Sequence, residues 1–195
     1  MRIFLIRHAS VEYTNNSATN RHIDLSPRGT VQASEMAKLW EPKIGYLYSS
    51  TLPRAVQTIE PLAKKLNKSI IEESTLFELD YRGDAALFHE KIKEDRNFKF
   101  EGGESITEAN VRFEKAVRHI ADIHNTCTVA VGTHGTVLSE FLINQFGFPS
   151  DYFFKLSYPD VYEIQYTNEK GFIFIRRAIN LLPKTIEYKD IPLVY

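Results

Sequence analysis

Three short segments carry the residues best suited to chemistry. "RIFLI" runs directly into Arg7-His8, "IGYLYSS" leads to Arg54, and "TVAVG" leads into Thr133-His134-Gly135. Guanidinium groups grip oxyanions through coplanar pairs of N–H donors, a fork that lysine cannot reproduce. A neutral imidazole beside such a pocket is a competent nucleophile toward phosphorus. It divides transfer into two in-line steps through a phosphohistidine. In both steps charge gathers on the equatorial oxygens, where nearby cations stabilise it. A departing alkoxide then needs a proton. Glu78 in "LFELDYRGD" is the candidate acid, retaining a proton in a partly apolar pocket, with Asp80 as the rival carboxylate two residues on. One histidine after one strand is usually a satisfied structural residue. Basic or imidazole groups at all three strand exits point instead to a site.

Those residues need elements that deliver them to one edge. "RIFLI" (2–6), "IGYLYSS" (44–50), "SIIEES" (69–74) and "TVAVGT" (128–133) are short apolar runs of the kind buried on both faces of a sheet. Between them lie helical stretches. Ser26 is an N-cap, Pro27 the first helical residue, and Val31, Met36 and Leu39 the apolar positions of the first. "RAVQTIEPLAKKL" is a second, which Pro61 is expected to kink or interrupt. The clearest is 104–123, where Ile106, Ala109, Phe113, Ala116, Val117, Ile120 and Ile123 form one stripe. Gly135 opens the apolar helix "VLSEFLINQF". "VYEIQY" and "FIFIRRAI" flank "TNEKG" as an antiparallel hairpin, and the last fifteen or so residues read as extended or irregular. The alternation predicts a three-layer α/β/α sandwich with a mainly parallel central sheet, an antiparallel edge and a small cap insertion. Residues 1–195 are expected to form one domain, with 80–103 as the cap. In such sheets ligands bind beyond the carboxyl ends of the strands.

Composition removes several other classes. The 195 residues carry 24 Lys plus Arg against 25 Asp plus Glu, a net charge of −1, so nothing draws the whole chain to nucleic acid or anionic lipid. One cysteine, Cys127, excludes an intrachain disulfide and a thiolate zinc cluster, and in "CTVAVG" it reads as a buried small hydrophobe. The N-terminal apolar run is shorter than the roughly 7–15 residues of a signal core. No run reaches the roughly 18 apolar residues of a membrane span, so a soluble, cytoplasmic protein is expected. Phosphate-loop, dinucleotide-loop and GxSxG patterns are absent. "HEKIK" at His89 lacks the second histidine of a zinc-protease helix, and His119 and His124 lie about 140° apart on a helix. His22, in "NNSATNRH", is either a solvated turn or the rim of the pocket. Tyr81, Phe88, Phe98 and Phe100 suggest an apolar wall near the cap, and "SDYFFKLSY" is either core or an interface.

Taken in order, "LIRHAS", "LSPRGTVQA", "SSTLPRAVQT", "LFELDYRGD", "EGGESITEANVRF" and "VGTHGTVL" resemble the histidine phosphatase (phosphoglycerate mutase-like) superfamily over about residues 2–145. The resemblance implies that His8 accepts the phosphoryl group and that Arg7 and Arg54 hold it. It implies that His134 contacts it, that Glu78 donates the proton, and that Glu104 and Ser105 cap the long helix. It implies no metal and no other cofactor.

Many members read Gly-Glu-Thr after the first histidine, with an asparagine three residues past that threonine. Here Ala9 and Ser10 follow, and Thr14 stands at the asparagine's place. Asn15 or Asn16 substitutes for it, or the contact is lost. Ser10, Asn15, Arg82 and Gly135 are the further expected substrate contacts, Arg82 meeting a second anion. The short 80–103 segment argues against the larger mutases. The expected activity is metal-independent hydrolysis of a small phosphomonoester. A phosphoglycerate mutase-type transfer and a non-catalytic phospholigand-binding module are the alternatives. The expected partner is a phosphorylated small molecule, with neither nucleic acid nor membrane, and nothing in the sequence sets an oligomeric state.

Overall fold

The computed structural model describes residues 1–13 and 22–183. Six strands form one sheet: β1 (Arg2–Arg7), β2 (Tyr46–Ser49), β3 (Ile70–Glu72), β4 (Thr128–Thr133), β5 (Asp160–Thr167) and β6 (Gly171–Arg177), in the order β3-β2-β4-β1-β5-β6. β3, β2, β4 and β1 run parallel, whereas β5 is antiparallel to β1 and β6 to β5. The expected mainly parallel sheet with an antiparallel edge is therefore present. Five helices accompany it: α1 (Pro27–Leu39), α2 (Pro53–Leu66), α3 (Ala85–Glu94), α4 (Ile106–Ile123) and α5 (Gly135–Phe146).

Alternation along each strand divides the core in two. Ile3 and Leu5 of β1 pack with Phe113 and Val117 of α4 and Phe141 of α5, while Phe4 and Ile6 face Met36 of α1 and Ile59 and Leu62 of α2. All four β1 residues are fully buried, which is why the run is unbroken in apolar residues. Three layers result, α/β/α.

Helix starts follow their side chains. Ser26 accepts the Gly29 N–H, and Ser105 forms a capping box with Glu108. Several expectations differ in detail. Val31 and Leu39 face solvent, and α1 buries Gly29, Gln32, Ala33, Met36 and Ala37 instead, because small residues let it lie close to the 9–10 segment and α2. Ile123 is exposed at the end of α4, where Ala121 takes the inward position. Pro61 does not interrupt α2: the helix continues to Leu66, and only the hydrogen bond that proline cannot donate is lost. Cys127 is only partly buried, packed against the α4–α5 face of the core. Thr14, Asn15 and Asn16 lie outside the described residues, as does most of the C-terminal stretch.

Candidate active site

Neighbouring parallel strands bring their ends together. Arg7 is level with Thr133, and Ser49 with Gly132. The ladder continues past the strands, with His8 N–H donating to Thr133 O at 3.0 Å and Ser50 N–H to Gly132 O at 2.9 Å. His8, Ser50 and His134 therefore stand side by side. The His8 and His134 ring centroids are 5.4 Å apart.

His8 Nδ1 lies 2.8 Å from Ala9 O, and a carbonyl only accepts, so Nδ1 carries the proton. Nε2 then presents a lone pair, to which Arg54 Nε–H donates at 3.3 Å. Burial, followed by the charges of Arg54 and Arg7, holds the His8 pKa well below its usual value. The imidazole is neutral at neutral pH. The Ala9 N–H donates to Thr58 Oγ, whose hydroxyl donates in turn to Arg54 O, so α2 and the 8–9 segment are locked together.

Arg7 is held at Nη1 and against an aromatic ring. Its Nη1 donates to Leu156 O at 3.0 Å and Ser157 O at 3.3 Å, and its guanidinium carbon sits 3.6 Å from the Tyr158 ring centre. Those carbonyls are steadied by the buried Asp160, which receives Arg177 and the Ser157 and Val161 N–H groups. Arg7 Nε and His134 Nδ1 are buried with no hydrogen-bond partner among the described residues. Orphaned buried polar atoms are rare in folded proteins, and two of them beside a neutral imidazole describe a place for an oxyanion. A Cβ at Gly135 would sit 2.8–3.0 Å from three Arg7 guanidinium atoms. Gly135→Ala is accordingly expected to displace Arg7 and lower kcat/KM for a phosphomonoester roughly 10–100-fold while circular dichroism stays unchanged.

Glu78 closes the site. Its carboxylate accepts the Leu79, Thr136 and Val137 N–H groups at 2.9, 3.0 and 3.2 Å, serving as the N-terminal cap that His134 does not supply to α5. Its surroundings are thus polar, not the apolar pocket expected. The loop bearing it is gripped from behind. Arg112 pairs with both oxygens of Glu104 and donates to Thr75 O and Phe77 O, while Glu104 accepts the Asp80 N–H. Ser105 caps α4 as expected, whereas Glu104 acts here as a brace for the 75–80 loop.

A cleft of about 820 Å³ opens over these groups, lined among others by Arg7, His8, Arg54, Glu78, Arg82 and Tyr158. The family model of the histidine phosphatase superfamily (branch 1) matches residues 3–176. The chain belongs to that superfamily. Phosphoserine phosphatase 1 of Hydrogenobacter thermophilus is 26% identical over 149 residues, 69% of this chain and 71% of that protein. Phosphoglycerate mutase-like protein 4 of Arabidopsis thaliana is 29% identical over 154 residues, 70% and 67% of the two chains. Among solved structures, a phosphoserine phosphatase mutant from Entamoeba histolytica in complex with phosphoserine superposes with a TM-score of 0.75 at 17% identity, covering 92% of this chain and 97% of that one. A mycobacterial glucosyl-3-phosphoglycerate phosphatase complexed with VO3 gives 0.73 at 17% identity, covering 91% and 99%. At such identities the superpositions show a shared fold. The expected enzyme class, a phosphatase of the histidine phosphatase type, follows from the family.

In this histidine phosphatase the expected residues Arg7, His8, Arg54 and Glu78 meet at the cleft, with His134 packed behind them. Arg82 lines the cleft too, in a left-handed backbone conformation (φ 50°) and paired with Asp80 at 2.8 Å. Two residues expected as substrate contacts lie outside the lining of the cleft. Ser10 uses its backbone to anchor α1, accepting Ser26 N–H and donating to Gln32, and it does not line the cleft. Gly135 makes room for Arg7 instead of bordering the cleft. Asn15 lies outside the described residues. The aromatic wall is mostly interior: Phe88, Phe98 and Phe100 pack against one another with tilted and edge-on rings, and Tyr81 alone among the four reaches the cleft. His22, Tyr13, Phe153 and Tyr158 line it as well. Of these, His22 resolves to the rim. No motif announces Tyr13, and Phe153 and Tyr158 belong to "SDYFFKLSY", expected as core or an interface but placed here at the cleft.

The His8 shift sets an acid limb. Protonation would remove the lone pair, and it occurs only well below the usual imidazole value. With correction for the substrate's own phosphate ionisation near pH 6, kcat/KM is expected to hold as pH falls through 6.5 and to drop only below it. An acid limb centred above 6.5 would contradict a neutral, buried His8.

Proposed function

We propose that this chain is a metal-independent phosphomonoesterase that hydrolyses a small phosphorylated substrate through a phosphohistidine on His8, with Glu78 as proton donor. The observation carrying the reading is the His8 imidazole, neutral, with its lone pair at Nε2 and two arginines beside it. Substrate phosphate displaces the Arg54 N–H from Nε2 onto its own oxygens, and Arg7 Nε gains an acceptor. Nε2 attacks phosphorus, the P–O bond to the leaving group breaks, and the departing oxygen takes a proton from Glu78. Oε1 of Glu78 holds two N–H donors but Oε2 only one among the described residues, so Oε2 keeps a lone pair for that proton. The Glu78 carboxylate then takes a proton from water, which attacks phosphorus, and the P–N bond breaks to release phosphate. Residues 80–103 act as the cap, and Arg82 with Tyr81 meets the part of the substrate beyond the phosphate. Relatives named for phosphoserine and a sugar phosphoglycerate favour a small anionic metabolite.

The deciding experiment is a single turnover with a ³²P-labelled phosphomonoester in EDTA, quenched in base. Base-stable, acid-labile label on the protein is expected; label-free protein during steady turnover would exclude the intermediate. Isomerisation of a monophosphoglycerate without phosphate release would move the assignment to a mutase. Glu78→Gln is expected to slow alkyl phosphates about 100-fold and aryl phosphates only a few-fold, because a good leaving group needs little protonation. Equal losses on the two substrates would remove Glu78 from the donor role.

A further inference from the structure

The two buried imidazoles are fixed from opposite ends of their rings. His8 is held at Nδ1, by Ala9 O, and His134 at Nε2, by Ser50 Oγ at 2.8 Å. Ser50 arrives there because β2 pairs with β4: its N–H continues the ladder to Gly132 O, one step from the residue that His134 follows. The hydroxyl inventory then decides which partner donates. Ser50 Oγ already accepts the Leu52 N–H at 3.2 Å, and Ser50 is 0% exposed. Its single O–H must therefore find an acceptor inside the protein. Among the described residues, the acceptor within hydrogen-bonding distance is His134 Nε2.

We propose that Ser50 is a positioning residue that holds His134 in the Nδ1–H tautomer, so that His134 offers an N–H to a phosphoryl oxygen while His8 offers a lone pair to the phosphorus. The orphaned His134 Nδ1 is explained by this: its acceptor arrives with the substrate. The other tautomer would strand the Ser50 hydroxyl proton and turn a lone pair toward an anion, two losses at once. Burial, then the Arg54 charge, keeps His134 neutral, so the position of one proton on the ring is the variable that remains. The inference rests on the phosphatase reading, but the tautomer is readable without turnover.

The test is a long-range ¹H–¹⁵N correlation spectrum of the full chain labelled with ¹⁵N-histidine, ligand-free and above pH 6.5, with His134 assigned by its loss in His134→Asn. A protonated Nδ1 and an unprotonated Nε2 are expected; a protonated Nε2 overturns the proposal. Ser50→Ala is expected to shift His134 toward Nε2–H and lower kcat roughly 10–100-fold with KM changed less, and Ser50→Thr to restore both. Retention of the Nδ1–H tautomer in Ser50→Ala would also overturn it. If Ser50→Ala does not fold, the wild-type spectrum decides alone. The expected tautomer in a chain that releases no phosphate would defeat the phosphatase reading and leave the Ser50–His134 assignment standing.

Discussion

His8→Ala is expected to lower phosphate release by at least roughly 10⁴-fold while the protein stays folded. A loss of that size is expected because the proposed mechanism has His8 supply the bond to phosphorus. Arg54 loses its hydrogen bond to Nε2 in the variant and keeps its charge. Phosphate binding should therefore survive, and product phosphate should still inhibit any residual reaction. Folding is checked by circular dichroism and thermal melting. The strands beside His8 are held by their own ladders and by fully buried Ile3, Phe4, Leu5 and Ile6, none of which the substitution touches. Activity within tenfold of the unsubstituted protein would end the phosphohistidine reading.

Arg54→Ala is expected to cost about 10³-fold in kcat/KM, close to 4 kcal/mol of transition-state stabilisation. Arg54 stands at the first turn of α2, and its Nε–H donates to His8 Nε2, the nitrogen proposed to attack. It is the group best placed to follow charge from His8 onto the phosphoryl oxygens as the new bond forms. Arg54→Lys separates charge from geometry. An ammonium restores the cation but not the planar pair of donors, so it should recover only part of the loss. Full recovery by lysine would mean that Arg54 contributes a point charge alone. Loss of the Arg54 charge also removes one influence that keeps His8 neutral, so the acid limb of the Ala variant should move toward higher pH.

Much of this site is legible in the sequence. His8 and His134 each follow a run of apolar residues, and such a run, buried on both faces, forces its next residue to the sheet's carboxyl edge. Ser26 marks a helix start through a hydroxyl placed to take an amide three residues on, and the family resemblance adds Ser105. Glu78 is identified by residue type, and the apolar surroundings expected for it are polar instead. Its partners Thr136 and Val137 lie 58 and 59 residues away, and no local pattern announces that a carboxylate will cap a distant helix.

Local order along the chain therefore determined the elements, their caps and which functional groups leave strands at a common edge. Strand order and direction were decided only by the tertiary structure. Because β5 runs antiparallel to β1, with Asp160 opposite Arg7, it brings its beginning to the edge where the parallel strands end. That reversal places Leu156, Ser157 and Tyr158 around Arg7, residues whose sequence gives no sign of a role beside it. Insertion of β4 between β1 and β2 likewise sets Ser50 against His134 across 84 residues. Hydrophobic periodicity records which face of an element is buried. It does not record which element lies next to it, and the hydrogen bonds that tune this site are made between those neighbours.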